Sequence, residues 1–163
     1  MFCEKCGNSL IPKFLEYEGM IPFCTKCNEY RFLNFNSAIS VIIFNPEKTK
    51  ILLIKQYHTD FYRLVAGYVN KGETLEHTIY REMGEEIGRY PNSIEYNKSA
   101  YFEKSNTLIT NFIVTLTSED IFPNYEVDSY DWVYVDDALI LLSDRKFTLD
   151  LLNNYLNKIA STK

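Results

Sequence analysis

A chain of 163 residues with 46% hydrophobic and 24% charged side chains has room for one well-buried core and a small appendage. Its formal charge of -5 provides no bulk positive field for a long polynucleotide or an anionic membrane, which favours a small phosphorylated ligand over bulk nucleic acid. No apolar run approaches about 18 residues, and the opening MFCEKCGNSL is neither basic nor followed by a signal-type apolar stretch, so a soluble cytoplasmic protein is expected.

All four cysteines fall early, as Cys3-x2-Cys6 and Cys24-x2-Cys27, each pair followed by a residue suited to a tight turn, Gly7 or Asn28. Two such knuckles read as a tetrahedral zinc site. Four thiolates would close the coordination shell, so the zinc is expected to be structural. A segment of about thirty residues buries too little apolar surface to fold alone, and a metal tying the knuckles together is the expected source of its order. The rival reading, a pair of disulfides or a redox CxxC, lacks both a secretion signal and a surrounding βαβ pattern. Between the knuckles, IPKFLEYEGMIPF reads as two short strands around Glu18-Gly19, which makes residues 1–34 a zinc ribbon. Such ribbons often bind nucleic acid, but this one is not particularly basic, and a scaffold or dimer role is expected.

Residues 35–163 then form the main domain. Ala38 to Phe44 and Ile51 to Ile54 are near-continuous apolar runs separated by Asn45-Pro46-Glu47, as expected of central strands. Phe61 to Val69 is expected as a strand leading into a loop at Gly67, and His58 before it as a surface residue. Thr74 can cap a helix over residues 75–87, whose apolar face repeats at Leu75, Ile79 and Met83 and whose His77 points to solvent. Gly84 costs that helix about 1 kcal/mol against alanine. It is expected either to admit a neighbouring strand or to be tolerated slack.

At about 100° per residue, Glu82, Glu85 and Glu86 share one sector that overlaps the edge of the apolar stripe. Their mutual repulsion needs an offsetting cation, and within the helix only Arg81 is available. Hard divalent ions, which prefer carboxylate oxygens, are the natural remedy; the alternative is a solvated acidic face. Past the helix, Ile94 to Glu103, Thr107 to Leu116 and Asp131 to Val135 have strand character, while Asp136 to Leu142 and Thr148 to Ile159 have helical spacing. The mixed order predicts α+β layers with helices on two sides of a sheet.

The stretch GYVNKGETLEHTIYREMGEEIG resembles the box of the Nudix hydrolase family, G-x5-E-x7-R-E-U-x-E-E-x-G-U with U apolar. Gly67, Glu73, Arg81, Glu82, Met83, Glu85, Glu86 and Gly88 fall on it, and Arg89 takes the place of the last U. The resemblance implies an α/β/α sandwich that hydrolyses a nucleoside diphosphate linked to another group with magnesium or manganese. Glu82 and Glu86 are then expected as metal ligands, the backbone carbonyl of Ala66 as another, and Glu86 or Glu85 as acceptor of a proton from the attacking water. Glu73 is expected to pair with Arg81 and so orient the helix.

Within the family, the four-cysteine ribbon, AGYV at residues 66–69 and Glu126-Val-Asp-Ser-Tyr-Asp-Trp132 resemble the NADH pyrophosphatases, which usually carry a further domain ahead of the ribbon. By that resemblance Glu126 is a further metal ligand or catalytic carboxylate; on its own it reads equally as a strand-edge residue. The subgroup's SQPWPFPxS motif is replaced by Ser99-Ala-Tyr-Phe-Glu-Lys-Ser-Asn-Thr107, which retains the serine and an aromatic ring at Phe102 but no proline. Phe32 stands where the subgroup has a tyrosine after the ribbon. Phe32 and Phe102 are the expected base-stacking residues. The expected substrate is an NAD(H)-like dinucleotide. The alternatives are ADP-ribose, a nucleotide sugar, a 5'-capped RNA end, or a non-catalytic nucleotide-sensing role, and a homodimer is implied by the resemblance alone.

Overall fold

The computed structural model describes residues 1–161, so the last two positions of the expected 35–163 span lie outside the described residues. The chain divides into two units, Met1–Phe35 and a second that begins at Asn36.

In the first unit, β1 (Ile11–Leu15), β2 (Gly19–Cys24) and the short β3 (Glu29–Tyr30) form an antiparallel sheet in that order. The hairpin turns through Tyr17 and Gly19 in left-handed conformation, and both knuckle-closing residues, Gly7 and Asn28, adopt the positive φ expected of them. The third strand, absent from the sequence reading, sets Tyr30 against Phe23, with ring centroids 5.0 Å apart. Only Cys3, Phe23 and Cys24 are buried among this unit's residues, so it has almost no apolar core.

The second unit is built on β4 (Asn36–Phe44), the near-continuous apolar run. β4 runs parallel to β8 (Thr107–Thr115) along its whole length. On its other side, β6 (Val65–Tyr68) pairs with Ala38–Val41, and β5 (Lys50–Gln56) meets Phe44. β7 (Ser93–Phe102) and β9 (Val127–Tyr134) complete the order β7-β8-β4-β5-β9. Because side chains alternate along a strand, the unbroken apolar run serves two cores. Ile39, Val41 and Ile43 pack with Ile79, Met83 and Ile87 of α1 (Leu75–Ile87). Ile42 and Phe44 face α2 (Val135–Leu141) and α3 (Lys146–Ser161) through Ala138, Leu151 and Leu152. The α/β/α layering implied by the resemblance follows from that two-sided burial.

Three expectations need correction. Extended structure over Phe61 to Val69 is confined to β6, because Tyr57 and His58 take left-handed conformations and Arg63 makes a single bridge to Ile54. Val135 opens a helix rather than closing a strand. Gly84 admits no strand; a Cβ there would lie 3.0 Å from the Tyr90 ring, so the glycine makes room for a side chain.

One polar network crosses the second core. Asn97, the extra residue of a bulge in β7, donates to Asn111 Oδ1 and to the Leu151 carbonyl, both at 2.8 Å, and accepts from Asn154. Asn111 in turn donates to Ser40 Oγ at 2.7 Å. No helix among the described residues is long and apolar enough to cross a membrane.

Candidate active site

The helix α1 enters from the loop after β6 as its sequence demands. Thr74 Oγ1 accepts the His77 N–H at the N-terminus, and Gly88 ends the helix in left-handed conformation, its own N–H bonded to the Met83 carbonyl. A Cβ at Gly88 would lie 2.7 Å from the Phe122 carbonyl oxygen, so this residue must be glycine on two counts. Phe122 N–H donates to the Ile87 carbonyl and Asn124 N–H to that of Glu86, which docks the segment before β9 on the end of the helix. Arg89, at the slot the family box keeps apolar, donates to the Asp120 carbonyl and stacks over Phe122 at 4.8 Å. The cation is thereby satisfied against the segment that docks on the end of the helix.

Docking of that segment sets Glu126 beside α1. Glu82, Glu86 and Glu126 line one cavity of about 620 Å³ with Ala66, Gly67, Tyr57 and Phe102. Glu126 lies just before β9 rather than on the strand edge, its N–H held by Asn124 Oδ1 at 2.9 Å. Gly67 permits the approach of helix to strand: a Cβ there would fall 1.8 Å from Glu82 Oε1. Phe102 is half-buried and packs edge-on against Phe147. It closes β7 rather than sitting in a loop, because the stretch aligned with the Pro-rich motif comprises the end of β7, a tight turn over Glu103–Ser105 and the start of β8. Phe32 lies in the first unit and is exposed.

Arg81 is the hub of the acidic cluster. Its Nε and Nη2 grip the two oxygens of Glu73 at 2.7 and 3.0 Å, Nη2 also donates to the Tyr68 carbonyl, and Nη1 reaches Glu82 Oε1 at 2.6 Å and Glu85 Oε2 at 3.2 Å. The helix is thus tied to the loop before it by a bidentate pair and to the end of β6 by the Tyr68 carbonyl. Glu73 also accepts from Asn70 N–H and Thr78 Oγ1. The Arg81 guanidinium, with those donors, pulls its carboxyl down to about 2.

Glu86 is placed differently. It is only 3% exposed, its Oε1 takes a 2.7 Å hydrogen bond from the buried Gln56 Nε2, and its Oε2 has no hydrogen-bond partner. Burial, reinforced by Glu82 and Glu126, raises its carboxyl to about 7 even against the Gln56 bond. Burial also raises Glu82, against the pull of Arg81. A buried carboxylate oxygen without a donor, beside two more carboxylates, suits a hard cation; the donor set is all oxygen, which fits magnesium or manganese. Glu85 stays on the outer side of the helix with Arg81, its side chain 57% exposed.

Sequence reasoning missed Gln56, Tyr57 and Arg63. A polar Gln56 ending an apolar strand was the available signal. Tyr57 and His58 adopt consecutive left-handed conformations, costing about 1 kcal/mol or more each. Asp128 holds that turn by accepting from the His58 N–H at 2.6 Å and contacting its Nδ1 at 2.9 Å. His58 therefore remains a surface residue that shapes the cavity wall through its neighbour.

In the first unit the four sulfurs of Cys3, Cys6, Cys24 and Cys27 lie within 4.8 Å of one another, with Cys3–Cys27 at 3.9 Å and Cys6–Cys24 at 3.5 Å. A tetrahedron with Zn–S bonds of about 2.3 Å has edges of about 3.8 Å. The cluster can hold zinc.

The sequence profile of the NUDIX domain matches residues 34–152. The NAD-capped RNA hydrolase NudC of Photobacterium profundum is 26% identical over 125 residues, covering 77% of this chain and 46% of that protein. The chain spans about half the length of the curated relatives it matches. Among solved structures, a Caenorhabditis elegans Ap4A hydrolase binary complex superposes with TM-score 0.65 at 18% identity, over 77% of this chain and 98% of that one. The NUDIX domain of Shewanella oneidensis NrtR complexed with ADP ribose gives 0.64 at 16%, over 84% and 94%. With the family profile spanning most of its length and Glu82 and Glu86 of the box lining one cavity on the matching fold, this chain belongs to the Nudix family.

Proposed function

We infer that the chain is a divalent-metal-dependent pyrophosphohydrolase that cleaves the diphosphate of an NAD-like dinucleotide into two mononucleotides. The observation that carries this reading is the buried Glu86, with one oxygen fixed by Gln56 and the other unpartnered beside Glu82 and Glu126. Glu82, Glu86, Glu126 and the Ala66 carbonyl would hold magnesium or manganese. Such an ion, when bound, supplies Lewis acidity and neutralises charge on the diphosphate. Water adds to one phosphorus, the bridging P–O bond breaks, and the water's proton passes to a carboxylate. Glu86 Oε2 either holds the ion or takes that proton, and Glu85, which is engaged by Arg81, is the less suited acceptor. Glu73 and Arg81 position the helix without touching the reacting atoms, and Phe102 offers an aromatic edge to the cavity.

The name of the Photobacterium relative favours a second substrate in the same class, an NAD-capped RNA end. The net charge of -5 supports recognition of the cap and its nearest nucleotides rather than of a long strand. Residues 1–34 would be a zinc ribbon held by Cys3, Cys6, Cys24 and Cys27; family resemblance supports a cytoplasmic homodimer. Turnover of NADH, NAD, ADP-ribose and an NAD-capped oligonucleotide with magnesium or manganese tests the reading. Cleavage of NADH or the capped end is expected, and inertness toward both would eliminate it.

A further inference from the structure

Next to the carboxylate cavity is another of about 380 Å³, which shares Ser40, Tyr57, Arg63 and Ala66 with it. Two arginines line the second cavity: Arg63, bridged through its backbone to β5, and Arg145, immediately before α3. Both guanidinium groups lie over the Phe61 ring, their Cζ atoms 4.5 and 3.3 Å from its centroid, so the two charges are near one another. Yet each is short of partners. The Nε atom of both is buried without a hydrogen bond. Arg63 makes one 3.3 Å bond to Thr59 Oγ1 and has no carboxylate within ion-pair distance among the described residues. Arg145 has only the exposed Asp144, at 4.0 Å, which is too far for a hydrogen bond.

The surroundings sharpen the imbalance. Arg145 and Lys146 stand at the positive end of a sixteen-residue helix whose first turn carries no acidic residue, the reverse of the usual preference. Phe147 and Thr148 of that first turn also line the cavity, and N–H groups at a helix start have no partner within the helix. Two guanidinium groups without a close carboxylate and a helix start, all lining one cavity, match a phosphate, which would offset their charge and accept from their Nη donors.

We propose that Arg63 and Arg145 form a phosphate subsite that takes a phosphate carried on the substrate's ribose, away from the diphosphate to be cleaved, and so sets preference among dinucleotides. The assignment rests on the dinucleotide reading above. A ribose phosphate of this kind has two sources, the 2'-phosphate of an NADP-type dinucleotide and the first 3'-linked phosphate of a capped RNA.

Calorimetric titration of the full chain with adenosine 2',5'-bisphosphate, adenosine 3',5'-bisphosphate and AMP tests the subsite without turnover. One bisphosphate is expected to bind at least about 10-fold more tightly than AMP, and which one does so identifies the source. Arg145→Gln should reduce that advantage to about one, and Arg63→Lys, which keeps charge and bulk but not the fork, should reduce it in part. Equal binding of all three ligands by the wild type, or an advantage that survives Arg145→Gln, would overturn the subsite. Turnover of NADH with no bisphosphate advantage would remove the subsite alone. An intact advantage in a chain that hydrolyses no dinucleotide would leave the subsite standing and remove the hydrolase reading.

Discussion

The two units gather candidate metal ligands by opposite means. In the first, four thiols converge where only Cys3, Phe23 and Cys24 are buried, so two of its three buried residues are themselves proposed ligands. In the second, Glu82 and Glu86 ride on a helix whose Ile79, Met83 and Ile87 are fully buried against the sheet. A ligand set with no core beneath it depends on its ion for order, whereas one seated on a core holds its place and bears the repulsion. Metal removal should therefore unfold one unit and merely relax the other.

The largest expected effect tests the first half of that contrast. Chelation of zinc, or Cys24→Ser, should abolish ordered structure in residues 1–34, since structural zinc sites contribute apparent binding free energies of about 10–16 kcal/mol. Amide exchange should show the loss confined to that unit, with the strands from Asn36 onward still protected.

Glu86→Gln should then lower kcat by about 10²–10⁴-fold while leaving the melting temperature equal or higher, because a buried, repelling carboxylate has been neutralised. A large fall in melting temperature would show that the acidic cluster supports the fold after all.

Arg81→Ala removes the tie between α1 and β6 and should weaken magnesium affinity by about 10–100-fold through misplaced carboxylates. Glu73→Gln should do the same more weakly, as the amide can still accept one hydrogen bond. Isothermal titration with manganese measures both.

A further effect, of similar size, is on pH dependence. The folded carboxyl of Glu86 is raised to about 7, so its contribution to stability is full below the unfolded value of about 4.5 and is lost as pH rises through about 7. Metal-free protein should be more stable at pH 5 than at pH 8 by about 1–3 kcal/mol, an upper range for the second unit. Saturating magnesium should flatten that slope. Below about pH 4.5 the trend should reverse, since Glu73 takes up a proton in the unfolded chain while its ion pair keeps the folded carboxyl ionised down to about 2.

What the sequence showed, it showed through spacing. The run from Ala38 to Phe44 and the period of Leu75, Ile79 and Met83 placed the central strand and the helix, because burial on two faces and on one stripe leave different patterns. The knuckle turns were equally plain, since Gly7 and Asn28 are residues that tolerate positive φ. The segment from Tyr57 to Leu64 was not legible. Its left-handed turn uses Tyr57 and His58, neither a turn-forming type, and is braced by Asp128, seventy residues away in the chain from His58. Gln56 escaped for the same reason: its partner, Glu86, is a long-range neighbour that no local period encodes.

The bulge at Asn97 has a consequence for drift over generations. Its amide joins the Leu151 carbonyl, Asn154 and, through Asn111, Ser40, so the terminal helix is keyed to one setting along the sheet as a shaft is by a pin. An apolar layer there would tolerate sliding by a turn; this one would strand several amides at every other setting. Ser40 lies in the wall of both cavities, and Arg145 stands six positions before Leu151. A change at Asn97, which lines neither cavity, would therefore retune what the pocket accepts by moving the helix that frames it.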